Sequence, residues 1–161
     1  IKHCLSFLEK QNYFFDYIIL IEPTSPLTTQ KDIDKALEIL YRKKKHSKSI
    51  VSVSKNINTH PSFNVKINKN GKIKTNFKKF KNNRRRQDLS KVYFFDGSFY
   101  ISEVNTLLKE KTFYHRETLA YVNEKWKAFE IDDIVDFICM HLCLLSPNKY
   151  FIRLFKKNHF A

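Results

Sequence analysis

Residues 16–53 read DYIILIEPTSPLTTQKDIDKALEILYRKKKHSKSIVSV. Asp16–Ile21 is a short, continuous, isoleucine-rich apolar run, the pattern of a strand buried on both faces. Pro23 and Pro26, set among threonines and a serine, break it into a loop. Thr29 followed by Asp32 is a helix start, because hydroxyl and carboxylate can each take a free amide of the first turn. Ile33, Ala36, Leu37 and Leu40 then fall on one helical face, and the helix ends in the basic run Arg42–Lys45. Ser49–Val53 is a second buried strand. Strand, loop, helix, strand is a βαβ unit, which predicts an α/β fold with a mostly parallel sheet and helices on both faces.

Outward from this unit, Cys4, Leu5 and Leu8 suggest an amphipathic helix over 1–12. Phe63–Ile67 and Lys72–Thr75 flank Asn68-Lys69-Asn70-Gly71, a hairpin signal. Lys74–Arg86 is polar and basic and reads as an exposed excursion. Phe99–Ile101 reads as a strand, and Ser102 as the cap of a short helix through Leu108. Ala128–Ile131 leads into a closing helix over Asp132–Leu145, with Ile134, Phe137, Ile138, His141 and Leu142 as its apolar marks. The expected organisation is one domain over 1–145, with a hairpin excursion at about 60–90, and a tail over 146–161.

The 161 residues suffice for one hydrophobic core, and 42% hydrophobic with 29% charged residues is a globular composition. No apolar run approaches the roughly eighteen residues of a membrane span. Ile1-Lys2-His3-Cys4 lacks the order of a secretory leader. Cys4, Cys139 and Cys143 form no disulfide framework and suit a reducing cytoplasm; Cys139 and Cys143 are expected in the core rather than on a metal. The net charge of +14 favours anionic partners, but it is spread along a chain rich in Lys and Asn and leaves the class of anion open.

In open α/β sheets, ligands bind beyond the carboxyl ends of the strands. Glu22-Pro23-Thr24-Ser25-Pro26-Leu27 leaves such an end, and its hydroxyls can bond a base, ribose or phosphate, or merely close local turns. In Glu130-Ile131-Asp132-Asp133, extended backbone would aim Glu130 and Asp132 the same way. Two such carboxylates beside a phosphate suit Mg²⁺; acidic capping of the last helix is the plainer alternative. Neither a dinucleotide-binding glycine motif nor a P-loop is present.

Taken in order, these segments resemble the CMP-sialic acid synthetase (acylneuraminate cytidylyltransferase) family. YIILIEPTSPLT is similar to its Q-P-T-S-P-L-R strand and loop, and SIVSV with HPSF to the next strand and connection. RRRQDLSKVYFFDGSFYI, residues 84–101, is similar to its R-x-Q-x-L-P…N-G-x-x-Y-I segment, Thr112-Phe113-Tyr114 to its aromatic pair, and FEIDD to its D-I-D metal motif. The resemblance implies a Rossmann-like nucleotidyltransferase fold. It also implies CMP transfer from CTP to a nine-carbon 2-keto sugar acid of the sialic, legionaminic or pseudaminic type, with release of pyrophosphate. Carried over by position, Glu130 and Asp132 would hold Mg²⁺, and Thr24 and Ser25 would line the nucleotide. Arg86 and Gln87 would face the sugar acid, the guanidinium paired to its carboxylate. Glu22, Asp96, Tyr100, Phe113 and Tyr114 would complete the sugar pocket. The family implies a cytoplasmic homodimer that supplies activated sugar for cell-surface glycans.

The chain departs from the pattern at Glu22 (for Gln), Thr28 (for Arg), Ser90 (for Pro), Asp96 (for Asn) and Glu130 (for Asp). It covers the C-terminal two-thirds of the pattern. The family's first strand and its A-R-x-G-S-K loop are not in it, so this stretch is expected to bind CTP poorly and not to turn over alone. Two other readings stand beside the enzyme: a nucleic-acid module using Lys72–Arg86, and a non-catalytic remnant of the synthetase.

Overall fold

The isoleucine run becomes β1 (Tyr17–Ile21), the capped helix α2 (Gln30–Arg42) and the serine–valine run β2 (Ser49–Lys55) in a computed structural model that describes residues 1–56, 60–74 and 89–145. Before them lies α1 (Lys2–Glu9). After them come β3 (Lys66–Ile67), β4 (Ile73–Lys74), β5 (Tyr93–Glu103), α3 (Val104–Glu110), β6 (Leu119–Val122) and α4 (Ile134–Leu145). Residues 1–54 with 95–161 form one compact unit, and residues 55–94 a second. The second unit holds the small β3–β4 hairpin, paired Lys66 to Lys74 and Ile67 to Ile73. Gly71 takes φ +73° in its turn, a conformation that glycine, lacking a β-carbon, adopts without steric cost.

The main sheet corrects the expectation of a mostly parallel sheet. Its order is β1-β5-β2-β6. β5 runs antiparallel to β1, with Tyr17 opposite Glu103 and Ile21 opposite Phe99, while β2 and β6 pair in parallel, with Ile50 opposite Leu119. β1 and β2 are the two ends of the expected crossover, but β5 is inserted between them. The apolar pattern could not show this, because a long strand buried on both faces reads the same in either direction. β6, only the four residues Leu119–Val122, is a strand that the pattern along the chain did not reveal.

Helices do lie on both faces. On one, Ala36 and Leu40 of α2 pack on Ile50, Phe99, Ile101 and Tyr121. On the other, Leu107 of α3 and Phe113 pack on Val51 and Val53, with Ile18, Leu20 and Tyr100 against them. The serines of β2 are buried too, and each hydroxyl is satisfied. Ser49 Oγ lies 2.8 Å from both His115 Nε2 and Thr118 Oγ1, Ser52 Oγ bridges the backbone N–H and C=O of Phe99, and Ser54 Oγ donates to Asp96 at 2.7 Å.

Local expectations also change. β1 is not buried on both faces, since Ile19 and Ile21 are exposed. Ser102 lies in β5, and Glu103 occupies the cap position of α3. The apolar marks of α4 do not close onto the core: Ile134, Phe137, Ile138 and Leu142 are exposed and Met140 is buried. Cys139, expected inside, is exposed and unpaired, as is Cys4. A helix this apolar has several possible inward faces, so periodicity alone could not choose one.

The start of α2 is built more heavily than a cap requires. Thr29 and Asp32 form the expected capping box. The Asp32 carboxylate also accepts from Tyr121 Oη at 3.0 Å and from Lys127 Nζ at 2.6 Å on both oxygens. Asp32 and Lys127 are buried at 5% and 7% exposure, so this ion pair lies inside the protein. Burial pushes the Asp32 carboxyl up, but Lys127, Thr29 and Tyr121 outweigh it and hold it below its usual range. A lowered carboxyl stabilises the fold above its unfolded value of about 3.9, and that stabilisation is lost as pH falls through the lower, folded value. Urea unfolding between about pH 5 and pH 2 should therefore show a shallower acid loss in Asp32→Asn than in the parent; equal slopes would contradict it.

Candidate active site

Four chain segments meet at one end of the sheet because β5 is antiparallel. The carboxyl ends of β1, β2 and β6 lead to Glu22, Ser54 and Asn123, and the early residues of β5, Asp96–Ser98, lie between them. This is the end at which open α/β sheets bind ligands.

The loop after β1 turns on its own backbone: Ser25 N–H donates to Glu22 O at 3.1 Å, and Thr28 N–H to Ser25 O at 3.2 Å. Its hydroxyls are not what closes the turns. Ser25 Oγ and Thr28 Oγ1 are buried and without a hydrogen-bond partner, although Ser25 is only 3% exposed. A buried hydroxyl left unpaired costs about 1–3 kcal/mol, which a bound polar group or water removes. Thr24 sits beside them, half-buried, and its carbonyl accepts from Ile131 N–H at 2.9 Å. That bond fastens the hydroxyl loop to the acidic segment.

In the acidic segment, Glu130 is half-buried and Asp132 is exposed. Glu130 lies directly over Gly97, where the backbone takes φ +67°; a β-carbon added there would stand 2.9 Å from the Glu130 carboxyl carbon. Burial raises the Glu130 carboxyl above its usual range, and the negative charges of Asp132, Glu22 and Asp96 raise it further. The capping alternative is met by Asp133, together with Asp136. Asp133 Oδ1 accepts from the amides of Val135 and Asp136 at 2.8 and 3.0 Å, and Asp136 Oδ2 reaches back to the amides of Asp132 and Asp133. The Asp132 side chain takes no part in that cap.

Asp96 is 1% exposed and engaged internally: it accepts from Ser54 Oγ, from Asn123 Nδ2 at 3.1 Å and from Ser98 N–H at 3.2 Å. Asn123 also donates to Ser98 Oγ at 3.0 Å, while its Oδ1 is buried without a partner. Ser54, Ser98 and Asn123 carry no sequence signal of this role. An aromatic wall stands beside the carboxylates. The Tyr100 ring meets Phe113 at 5.5 Å and Tyr114 edge-on at 5.9 Å, and Tyr114 packs on Phe95 at 4.4 Å. Burial, then Tyr114, then the charges of Glu22 and Glu130 push the Tyr100 phenol far up, so it remains a neutral donor at any ordinary pH.

The structure thus brings together Glu22, Thr24, Ser25, Asp96, Tyr100, Phe113, Tyr114, Glu130 and Asp132 at one sheet end. Arg86 and Gln87 lie outside the described residues. Among the described residues, no cluster of three or more His, Cys, Asp or Glu side chains is arranged to hold a metal. The donors that do converge suit a hard cation sharing its ligands with a phosphate: they are oxygens, and Glu130 is crowded by like charge that a divalent ion would relieve.

Searched against protein-family models, the chain matches none. It is 32% identical over 120 residues to the N-acylneuraminate cytidylyltransferase of Streptococcus agalactiae serotype V, covering 74% of this chain and 28% of that protein. It is 29% identical over 130 residues to the CMP-N,N'-diacetyllegionaminic acid synthase of Legionella pneumophila, covering 80% of this chain and 54% of that one. It is also 27% identical over 144 residues to the post-translational flagellin modification protein B of Campylobacter coli, covering 88% and 59%. The matched region therefore spans between about a quarter and three-fifths of these relatives.

Proposed function

We propose that this chain, which is related to the CMP-sialic acid synthetase (acylneuraminate cytidylyltransferase) family, carries the catalytic sheet end of an enzyme that transfers CMP from CTP to a nine-carbon 2-keto sugar acid. The observation that carries the reading is the tie of Thr24 O to Ile131 N–H. It sets unpaired buried hydroxyls beside a crowded carboxylate pair at the sheet end where α/β proteins bind nucleotides.

Ser25, with Thr24, would bond the nucleotide, and the buried hydroxyls would gain there the partners they lack within the chain. Glu130 and Asp132 would hold Mg²⁺. Bound there, the ion would draw charge from the phosphates and from the departing pyrophosphate. Glu22, Tyr100, Phe113 and Tyr114 would wall the sugar acid, with Tyr100 as a fixed hydroxyl donor. Arg86 and Gln87 would meet its carboxylate. Asp96 would act from behind, holding Ser98 and Asn123 at the pocket floor. Catalysis of this kind rests on positioning and charge stabilisation rather than on a covalent intermediate. A cytoplasmic homodimer that feeds glycan synthesis is part of the same reading.

The test is CTP-dependent pyrophosphate release by the complete protein with Mg²⁺ and a neuraminic, legionaminic or pseudaminic acid. Release with one of the three and none without sugar is expected. DNA binding with a steep salt dependence and no release would favour the nucleic-acid reading instead.

A further inference from the structure

The buried Lys127–Asp32 ion pair lies outside the reaction just proposed, yet it brackets the site. Asp32 is the third residue of α2, directly behind the loop that carries Ser25 and Thr28. Lys127 ends the 3₁₀ turn Lys125–Lys127, and the next residues run to Glu130. At the far side of the same two segments, Ile131 N–H bonds Thr24 O at 2.9 Å. The hydroxyl loop and the acidic segment are thus fastened twice, once by charge and once by backbone, with Ser25, Thr28 and Glu130 between the fastenings.

The ion pair is more than capping demands. Thr29 N–H and Oγ1 already satisfy the capping box on Asp32, at 2.9 and 2.5 Å. Lys127 Nζ adds two contacts at 2.6 Å, brings a buried charge from 95 residues away, and has the Trp126 ring 5.4 Å from it. A buried ion pair is a poor source of stability, because desolvation cancels most of its attraction. What it does supply is a fixed geometry, since a lysine taken from water has one partner and one place to be.

From this we infer that Lys127 and Asp32 are a positioning pair that sets the Glu130 carboxylate against the hydroxyl loop. The inference deepens the proposed function and rests on it for its catalytic consequence, but its structural half is independent. In Lys127→Met, amide hydrogen exchange at Ile131 should quicken about tenfold more than exchange in the β1–β5 pairing, and Lys127→Arg should restore it to within about threefold. Should Lys127→Met fail to fold, the neutral pair Asp32→Asn/Lys127→Met leaves no unpaired charge and carries the same comparison. Exchange that rises at Ile131 only in step with the β1–β5 amides would overturn the inference. In the complete protein, Lys127→Met should lower kcat for pyrophosphate release about ten- to a hundredfold, with KM for CTP changed less than about threefold. An unchanged kcat would also overturn it. If the parent protein releases no pyrophosphate, the proposed function fails, and the exchange comparison still decides the geometry.

Discussion

Gly97→Ala is expected to destabilise the fold by about 2–4 kcal/mol, the sum of two separate costs. The first is local. Gly97 takes φ +67°, and a side chain held in that region costs about 1–2 kcal/mol. The second is tertiary, since the new methyl would enter the space of the Glu130 carboxylate, with the carboxyl carbon 2.9 Å away. The glycine lies in β5, buried, with Asp96 and Ser98 on either side in the hydrogen-bonded network. The backbone has little freedom to move aside, so Glu130 must. A melting temperature lower by roughly 5–15 °C is the expected reading. Glu130→Ala placed on top should recover the tertiary part and leave the local part, so the two substitutions should be non-additive. Additive losses would show that the carboxylate does not rest on Gly97.

Replacing the acidic pair should have the largest effect on activity and the opposite effect on stability. In the complete protein, Glu130→Gln and Asp132→Ala should each lower CTP-dependent pyrophosphate release by about a hundredfold or more, with weaker Mg²⁺ or Mn²⁺ binding. A parental rate in Asp132→Ala would remove the metal assignment. Without metal, Glu130→Gln should be more stable than the parent at neutral pH. Glu130 has a raised folded value, so the stability its protonated form contributes is full below the unfolded value of about 4.3 and lost as pH rises through the folded one. The advantage of the glutamine should therefore shrink toward zero on acidification below about pH 4. An advantage that persists there would point to packing rather than charge. A site that costs the fold stability and supports activity is a common arrangement in enzymes.

The pieces of this site were legible to different degrees. The strand–loop–helix–strand run was readable because each element has its own local mark: an apolar run, two prolines, a capping box and a helical stripe. The acidic pair was visible, but whether it capped α4 was not. That depended on Asp133 and Asp136 reaching each other across a turn, which adjacent acidic residues do not reveal. Asp96 was read as a pocket residue from its place in a motif; the structure adds that its carboxylate is held by Ser54, Ser98 and Asn123. Lys127 looked like one of many lysines, because nothing local separates a buried lysine from a solvated one. The apolar face of α4 misled in the other direction, since an apolar residue predicts burial only when something covers it.

The sequence by itself determined the elements around residues 16–53, the glycine turn of the hairpin and the ordered motifs that relate the chain to cytidylyltransferases. These are properties of neighbouring residues, set by backbone sterics, by amides that need caps and by side-chain period. Only the tertiary structure decided that β5 enters the sheet antiparallel between β1 and β2. It alone placed Glu130 on Gly97 and drew Lys127 into the start of α2. Each of these is a contact between residues far apart in the chain. Which distant partners meet is settled by the joint burial of apolar surface and the pairing of buried polar groups, and no local pattern encodes that.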